Sequence, residues 1–312
     1  MILIAGGTGR LGTLLVGRLA ARGHEVRILT RNPARAKQSA GGRVTVMTGD
    51  VRDRQSLEPA VAGVETVVSA IHGFNESERD SLAAIDRDGN ANLISAAQAA
   101  GARFVLISTV GAAADSPMEL FRMKYLAEQR AVRSDVRCTI VCATAFLELW
   151  IEVLEQTANR SGRPLVFGHG QNPINFVSVG DVAALVERAV IDPGMGGETL
   201  EIGGPENLTF QQLAGAIQTA CGRTKAPRHI LPPMLRLLAG TMGRVKPQFA
   251  RQARAALIMD HADLTFDTTP VHTLYPELPS TAAADVLAAL YPKHRRAERT
   301  GSNPRARAVP RP

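Results

Sequence analysis

A glycine-rich loop directly after an apolar start constrains this 312-residue chain more than any other feature. Residues 1–5 are apolar, residues 6–12 read Gly-Gly-Thr-Gly-Arg-Leu-Gly, and leucines then recur every four residues at Leu11, Leu15 and Leu19. This pattern predicts a strand, a tight loop and an amphipathic helix. Glycines in that context let the backbone approach a pyrophosphate, and the helix N-terminus adds free N–H groups and a positive dipole. The sequence therefore predicts a dinucleotide site.

Short β-branched runs alternate with longer helical patterns through the first half of the chain. Six strands are predicted, within residues 1–5, 25–29, 43–47, 66–71, 104–108 and 137–142. Strands and helices that alternate at this spacing imply right-handed crossovers and a parallel sheet. The predicted fold class is α/β, a Rossmann-type doubly wound parallel sheet with a smaller, mostly helical C-terminal lobe.

The alternation of strands and helices becomes less regular after Phe146. The segment from Pro227 to Pro292 is interrupted by prolines, but its pattern is mostly helical. Further elements are predicted as extended chain at 175–179, a helix at 181–191, a strand at 199–202 and a helix from 208 to 220. We therefore expect three parts in the chain. They are an NAD(P)-binding Rossmann domain at 1–160, the remaining Rossmann elements with a substrate-binding lobe at 161–292, and a basic disordered tail at 293–312.

The net charge of +7 comes mostly from the end of the chain. Residues 293–312 carry seven basic side chains and one acidic one, which leaves +1 for the rest. A basic surface for nucleic acid is therefore not expected on the folded body. The tail lacks the apolar residues needed to offset the entropy of ordering, so disorder is the favoured interpretation over a contact with anionic surfaces.

Cysteine usage and hydropathy indicate the compartment. Cys138 and Cys142 lie in an apolar run where a spacing of four places both on one face of a strand, and Cys221 stands alone. No metal-binding pattern includes them, so buried reduced thiols in a cytoplasmic protein are expected. The start of the chain does not read as a signal peptide, and no stretch is long enough to span a membrane. We expect a small-molecule substrate and leave the oligomeric state open.

The end of the second strand should select the cofactor. A site that prefers NAD(H) places Asp or Glu there to hold the ribose hydroxyls, but this chain has Thr30, Arg31 and Asn32. The guanidinium of Arg31 can bind a 2′-phosphate and stack on adenine. NADP(H) is therefore expected in preference to NAD(H).

Four motifs in order make the chain resemble a known family. Residues 6–12, 30–33, 49–51 and 175–183 are similar to those of the atypical short-chain dehydrogenases/reductases of the NmrA-like, NAD(P)H-binding type. The resemblance extends over roughly residues 1–270 and implies a cofactor-dependent oxidoreductase without specifying its substrate.

The resemblance also implies roles for individual residues. Asp50 and Val51 match the pair around the adenine ring, and Ala70 and Ile71 match the segment along the ribose and diphosphate. Lys124 matches the lysine that holds the nicotinamide ribose. The complete set of expected cofactor-binding residues is Gly6, Thr8, Gly9, Arg10, Leu11, Gly12, Arg31, Asp50, Val51, Ala70, Ile71 and Lys124.

The expected catalytic residues are Lys124, Thr109 and His72. Thr109 matches the strip where the fold keeps a catalytic Ser or Thr. His72 ends the fourth strand and is expected as a general acid, because the unperturbed pKa of a histidine suits neutral pH; the alternative is a histidine that only lines the pocket. Lys124 stands four residues before Glu128, a spacing that any solvated helix face carries. Phe146, after the sixth strand, is expected to contact the substrate.

One departure from the family pattern bears on chemistry. The usual Tyr-x-x-x-Lys motif has Leu120 at the tyrosine position, and Tyr125 points about 100° away from Lys124 on a helix. We therefore expect an NADP(H)-dependent oxidoreductase acting on a small carbonyl or conjugated substrate without the usual proton relay. The alternative is a non-catalytic NAD(P)H-binding redox sensor, and the missing tyrosine counts against a sugar-nucleotide epimerase. Asp181 is interpreted as part of a helix cap with Ser178 rather than as an acid.

Overall fold

The computed structural model describes residues 1–36, 39, 41–73, 81–158, 161–241 and 247–292, so the predicted tail at 293–312 lies outside the described residues. Its strands are β1 Ile2–Ala5, β2 Val26–Thr30, β3 Val44–Thr48, β4 Thr66–Ser69, β5 Arg103–Thr109, β6 Cys138–Ala143, β7 Ala145–Phe146, β8 Leu165–Phe167, β9 Pro173–Val177, β10 Thr199–Ile202, β11 Asn207–Thr209 and β12 Arg228–Ile230. Its α-helices are α1 Arg10–Ala21, α2 Arg54–Val61, α3 Asn90–Ala99, α4 Glu119–Val132, α5 Leu147–Ala158, α6 Val179–Ile191, α7 Phe210–Ala220, α8 Pro232–Thr241, α9 Pro247–Met259, α10 Thr269–Leu274 and α11 Ala283–Leu290.

Seven strands form one parallel sheet in the order β10-β6-β5-β4-β1-β2-β3, which confirms the predicted α/β, doubly wound class. The strand order reverses direction between β1 and β4, which are hydrogen-bonded neighbours. In open sheets of this kind ligands bind in the crevice outside the carboxyl ends of the strands at such a reversal. The fold thus places the glycine loop at this crevice.

Side chains that alternate along the central strands contribute to two apolar cores, one on each face of the sheet. Ile2 and Ile4 of β1 join a cluster with α1 and α6 on one face, whereas Leu3 and Ala5 join a cluster with α2, α3 and α4 on the other. All four are buried, as expected for a parallel strand covered on both faces. Gly23, with a φ of 88°, follows α1 and ends it as the sequence predicted.

The smaller C-terminal lobe is mostly helical, as predicted, but it also contains two small sheets. One has the order β11-β9-β7 and the other pairs β12 with β8. Its core is a third apolar cluster that includes Leu147, Phe176, Phe210 and Leu287. The boundary proposed at residue 160 stays a prediction. None of the helices in the described ranges combines the length and apolar character needed to cross a bilayer.

Candidate functional site

The glycine loop packs so tightly that side chains would not fit at two of its positions. Gly6 has a φ of 85°, and a Cβ there would stand 2.5 Å from the carbonyl oxygen of Ala70, at the end of β4. A Cβ at Gly12 would overlap the carbonyl oxygen of Gly6. Gly9 caps α1 without a side-chain hydrogen bond, so the first turn of the helix faces the crevice with its backbone donors. This cradle fits the pyrophosphate of a dinucleotide.

Two arginines surround a carboxylate at the ends of β2 and β3. Arg31 is exposed directly after β2, and Nε of Arg52 donates to both carboxylate oxygens of Asp50 at 3.0 and 3.1 Å. The hydrogen bonds from Arg52 hold the pKa of Asp50 below its usual value, and the positive charge of Arg31 lowers it further. The place where a 2′-phosphate is expected is therefore cationic. Arg52 was not anticipated, although its two-residue spacing from Asp50 is typical of such a turn.

The segments after β3 and β4 lie beside this pair. Val51 is buried, and its carbonyl oxygen accepts a hydrogen bond of 2.9 Å from Nδ2 of Asn92 on α3. Ala70 and Ile71 are half-buried, whereas His72 is exposed. The structure therefore places His72 on the surface, three residues after the end of β4.

Lys124 is buried, with 6% of its surface exposed, rather than solvated on the face of α4. Its Nζ lies 3.0 Å from Oδ1 of Asp86 and donates to the carbonyl oxygens of Ile71 and Ile107, each at 3.1 Å. The ammonium group therefore ties together the ends of β4 and β5. A solvated ion pair with Glu128, the alternative to a cofactor contact, does not form, because the lysine is paired with a different, buried carboxylate.

Asp86 comes from a π-helix, Ala83–Gly89, that runs directly into α3. Such helices are rare and occur often at functional sites. Asp86 is fully buried, its Oδ2 accepts from the backbone N–H of Gly73 at 2.8 Å, and Asn90 donates to its carbonyl oxygen at 2.6 Å. Ser69 of β4 donates to Asn90 in turn, at 2.5 Å. Sequence reasoning missed this network, because a carboxylate in a helix carries no signal of its burial.

Glu128 belongs to a second buried polar group, behind β5. Its Oε1 accepts hydrogen bonds from the Ser108 hydroxyl and, at 3.7 Å, from the Cys142 thiol. Burial raises the pKa of Glu128, and it also raises the pKa of Cys142, an inert buried thiol as expected for β6. Thr109, the residue after Ser108, is half-buried, and its hydroxyl makes a 3.4 Å contact with the carbonyl oxygen of Val110.

An ion pair links the C-terminal lobe to the glycine loop. Arg10, the first residue of α1, binds the carboxylate of Glu152 on α5, and both side chains are partly exposed. Phe146 is half-buried on β7 and packs against the core of the main sheet, while Trp150 packs edge-on against Phe210 at 4.7 Å between ring centroids. The structure thus places Phe146 at the junction of sheet and lobe. Its predicted contact with substrate stays a prediction.

Asp181 has a structural environment. The hydroxyl of Ser178 caps α6 by accepting from the N–H of Gly180 at 3.2 Å, and it donates to Glu148 at 2.9 Å. Asp181 is buried and binds both the N–H and the hydroxyl of Thr281 at 2.7 Å. Burial raises the pKa of Asp181. The Asp181 carboxylate thus fastens the C-terminal segment to α6, a structural environment, but it binds Thr281 instead of completing the predicted cap with Ser178.

Comparison with known proteins identifies the family. The family described as NAD(P)H-binding matches residues 6–193. Over 225 residues, 72% of this chain and 74% of the relative, the chain is 31% identical to (4-alkanoyl-5-oxo-2,5-dihydrofuran-3-yl)methyl phosphate reductase of Streptomyces griseus. It is 27% identical over 224 residues to NAD(P)H azoreductase of Xenophilus azovorans, again over 72% of this chain and 74% of the relative.

A solved structure shows the same fold. The NADPH-dependent quinone oxidoreductase of Escherichia coli, complexed with NADPH, superposes with a TM-score of 0.75 at 23% identity and covers 93% of this chain and 100% of its own. The fold, the glycine cradle at its strand reversal and the matched family agree with one another. The chain therefore belongs to the NAD(P)H-binding family of atypical short-chain dehydrogenases/reductases.

Proposed function

We propose that this protein is an NADP(H)-dependent oxidoreductase that acts on a small carbonyl or conjugated substrate. The observation that carries the proposal is the glycine cradle together with the cationic end of β2 and β3, where Arg31 and Arg52 surround Asp50. The guanidinium of Arg31 can bind a 2′-phosphate, whereas the ribose of NAD(H) would need an acceptor at Thr30 or Arg31. Relatives named as azoreductase and quinone oxidoreductase support a reduction of conjugated substrates.

The residues have distinct tasks in this proposal. Gly6, Thr8, Gly9, Arg10, Leu11 and Gly12 hold the diphosphate, Arg31 holds the 2′-phosphate, Asp50 and Val51 flank the adenine, and Ala70 and Ile71 follow the ribose. The nicotinamide, when bound, supplies or accepts the hydride. Phe146, at the junction of sheet and lobe, offers an apolar surface to the substrate.

Lys124 acts in this proposal by positioning the ends of β4 and β5. Its hydrogen bonds to the carbonyl oxygens of Ile71 and Ile107 use two N–H donors, which leaves the third for its ion-pair partner Asp86 or for a nicotinamide ribose. With Leu120 in place of tyrosine, a proton must come from another group. We assign this step to two candidates, the exposed His72 after β4 and Thr109 at the end of β5.

The cofactor assignment is tested by titrating NADPH and NADH into the wild type and Arg31→Ala. We expect the wild type to bind NADPH roughly tenfold or more tightly than NADH, and Arg31→Ala to lose most of that difference, because charge-assisted hydrogen bonds are lost. Arg133→Ala, an exposed arginine at the end of α4, is the matched control and should retain the preference. Equal affinity of the wild type for both nucleotides would contradict the assignment.

Turnover is tested by following NADPH absorbance across a panel of aldehydes, ketones, quinones and azo compounds. We expect consumption with at least one conjugated substrate and a lower kcat in His72→Ala or Thr109→Val, with NADPH affinity retained. The replacement of tyrosine by Leu120 favours one rival function, a redox sensor. Tight NADPH binding without turnover on any compound, combined with a partner that binds only one redox state, would establish the sensor instead.

A further inference from the structure

Two histidines and a buried aspartate converge in the C-terminal lobe, apart from the residues of the glycine cradle. His169 follows β8, and Asp260 and His261 follow α9 directly. Nδ1 of His169 lies 2.8 Å from Oδ2 of Asp260, and Nε2 of His261 lies 3.8 Å from the same oxygen. All three potential ligand atoms lie within 4.8 Å of one another. One small ion can therefore reach all of them.

The loop after β8 is shaped around the Asp260 carboxylate. Gly168 has a φ of 82°, and a Cβ there would stand 2.5 Å from Oδ1 of Asp260. The backbone N–H groups of His169 and Gly170 donate to this oxygen at 2.8 and 3.1 Å. Oδ1 is thus held by the backbone, while Oδ2 points to the two imidazoles. The aspartate side chain is only 1% exposed, so its position does not depend on the surface histidines.

The two histidines lie between this buried carboxylate and solvent. Their side chains are 55% and 61% exposed, and their ring centroids lie 6.1 Å apart at an interplanar angle of 59°. A third imidazole, that of His229 on β12, lies near the same loop, with Nδ1 3.3 Å from the carbonyl oxygen of Gly168. The cluster therefore combines a fixed anionic ligand with imidazoles that can rotate.

We propose that His169, Asp260 and His261 bind a divalent transition-metal cation of the zinc class. Imidazole and carboxylate are ligands of Zn²⁺, with metal–ligand distances of about 2.0–2.2 Å, so two tetrahedral ligands stand roughly 3.4 Å apart. The observed separations of 2.8 and 3.8 Å lie on either side of that value. Binding needs only small rotations of the two exposed rings. Water completes the coordination.

Such an ion would link the loop after β8 to the end of α9. The described part of the lobe joins these segments through Asp260, and also through Asn172, whose Nδ2 donates to the carbonyl oxygens of Met259 and Ala262 at 2.7 Å. The proposed site shares no residue with the cofactor cradle. The expected consequence of binding is stability of the lobe, independent of any hydride transfer.

The test is a titration of the full chain, freed of metal by chelator and dialysis, with ZnCl₂ and CoCl₂. We expect one equivalent of Zn²⁺ to bind by calorimetry, the Co²⁺ form to show the visible absorption of a tetrahedral site, and Zn²⁺ to raise the melting temperature. His261→Ala should weaken binding at least tenfold, because it removes one of three ligands. His261 is exposed, so this variant should fold.

His24→Ala, a histidine outside the cluster, is the matched control and should bind Zn²⁺ as the wild type does. His169→Ala provides a second, independent loss of a ligand. Binding of one equivalent that is weakened in both cluster variants and kept in His24→Ala supports the site. Absence of one-equivalent binding by the wild type, or wild-type affinity in His261→Ala, overturns it.

Discussion

At the scale of single residues, the ion pair between Arg10 and Glu152 would compete with a phosphate for the Arg10 guanidinium. Arg10 lies in the loop expected to hold the diphosphate, and its guanidinium binds a carboxylate of the lobe instead. The Glu152 carboxylate also accepts a hydrogen bond of 2.9 Å from Nε2 of Gln156, one turn further along α5, and this bond helps to hold the carboxylate in place. Binding of a phosphate to Arg10 therefore requires exchange of one anionic partner for another.

We expect Glu152→Gln to bind NADPH about twofold to fivefold more tightly than the wild type, because exposed ion pairs contribute up to about 1 kcal/mol. Fluorescence titration of the NADPH complex measures the change. Glu58→Gln, an exposed acid on α2, makes the same change in net charge and should leave the affinity unaltered. Equal tightening in both variants would mean that only the overall charge matters.

The buried ion pair of Lys124 and Asp86 leads to a prediction about stability instead of cofactor affinity. Asp86→Asn leaves the ammonium group without a buried counter-charge, and loss of one partner of such a pair costs about 3–5 kcal/mol. We expect a loss of this size in the free energy of unfolding, measured with urea. The double variant Asp86→Asn, Lys124→Met removes both charges and should recover part of it. A double variant as unstable as the sum of the single variants would contradict the pairing.

At the scale of elements, those with a strong periodic pattern could be predicted closely and the shortest strands of the lobe could not. β10 occupies the predicted residues 199–202, and α6 and α7 begin within two residues of their expected positions. These elements have strong periodic patterns and caps. β7, β8 and β12 have two or three residues each, too few for any period to be visible, and they exist because they pair with β9 or with each other. Only tertiary contacts define them.

The site divides in the same way. Local sequence was sufficient to predict the glycine loop, because its strand, turn and helix are contiguous. Asp86, Arg52 and Glu152 went unnoticed because their importance arises from partners on other elements. The burial of Lys124 was not visible for the same reason, since helical spacing to Glu128 does not show which face of α4 is buried.

The cap of α6 offers a test at this scale. Ser178 accepts from Gly180 and donates to Glu148, which in turn accepts from the N–H of Val179 at 2.9 Å. Ser178→Ala should lower the free energy of unfolding by about 1 kcal/mol, the usual cost of losing such a cap. Ser95→Ala, in the middle of α3, replaces serine inside a helix and should change stability by less than about 0.5 kcal/mol. A loss in Ser95→Ala as large as in Ser178→Ala would rule out a specific capping effect.

At the scale of the whole molecule, carboxylates with raised and with lowered pKa values change the free energy of unfolding in opposite directions as the pH changes. Burial raises the pKa of Glu128 above its ordinary 4.5 and that of Asp181 above 3.8. Hydrogen bonds from arginines lower the pKa of Asp50 and of Asp88 below 3.8. The lowered groups contribute stability above pH 3.8 that is lost as the pH falls through their folded pKa values. The raised groups contribute stability that is fully present below their ordinary pKa values and is lost as the pH rises.

Ionisation of Glu128 and Asp181 should therefore lower the free energy of unfolding as the pH rises above their ordinary pKa values of 4.5 and 3.8. Glu128→Gln keeps an acceptor for Ser108 but removes the titration, so its decline between pH 5 and pH 8 should be shallower than that of the wild type. Urea unfolding at several pH values measures both slopes, with Glu58→Gln as the exposed control that keeps the wild-type slope. A Glu128→Gln slope equal to that of the wild type would show that this carboxyl ionises in the fold without penalty. The decline would then have to arise at Asp181, and Asp181→Asn would be the variant that flattens it.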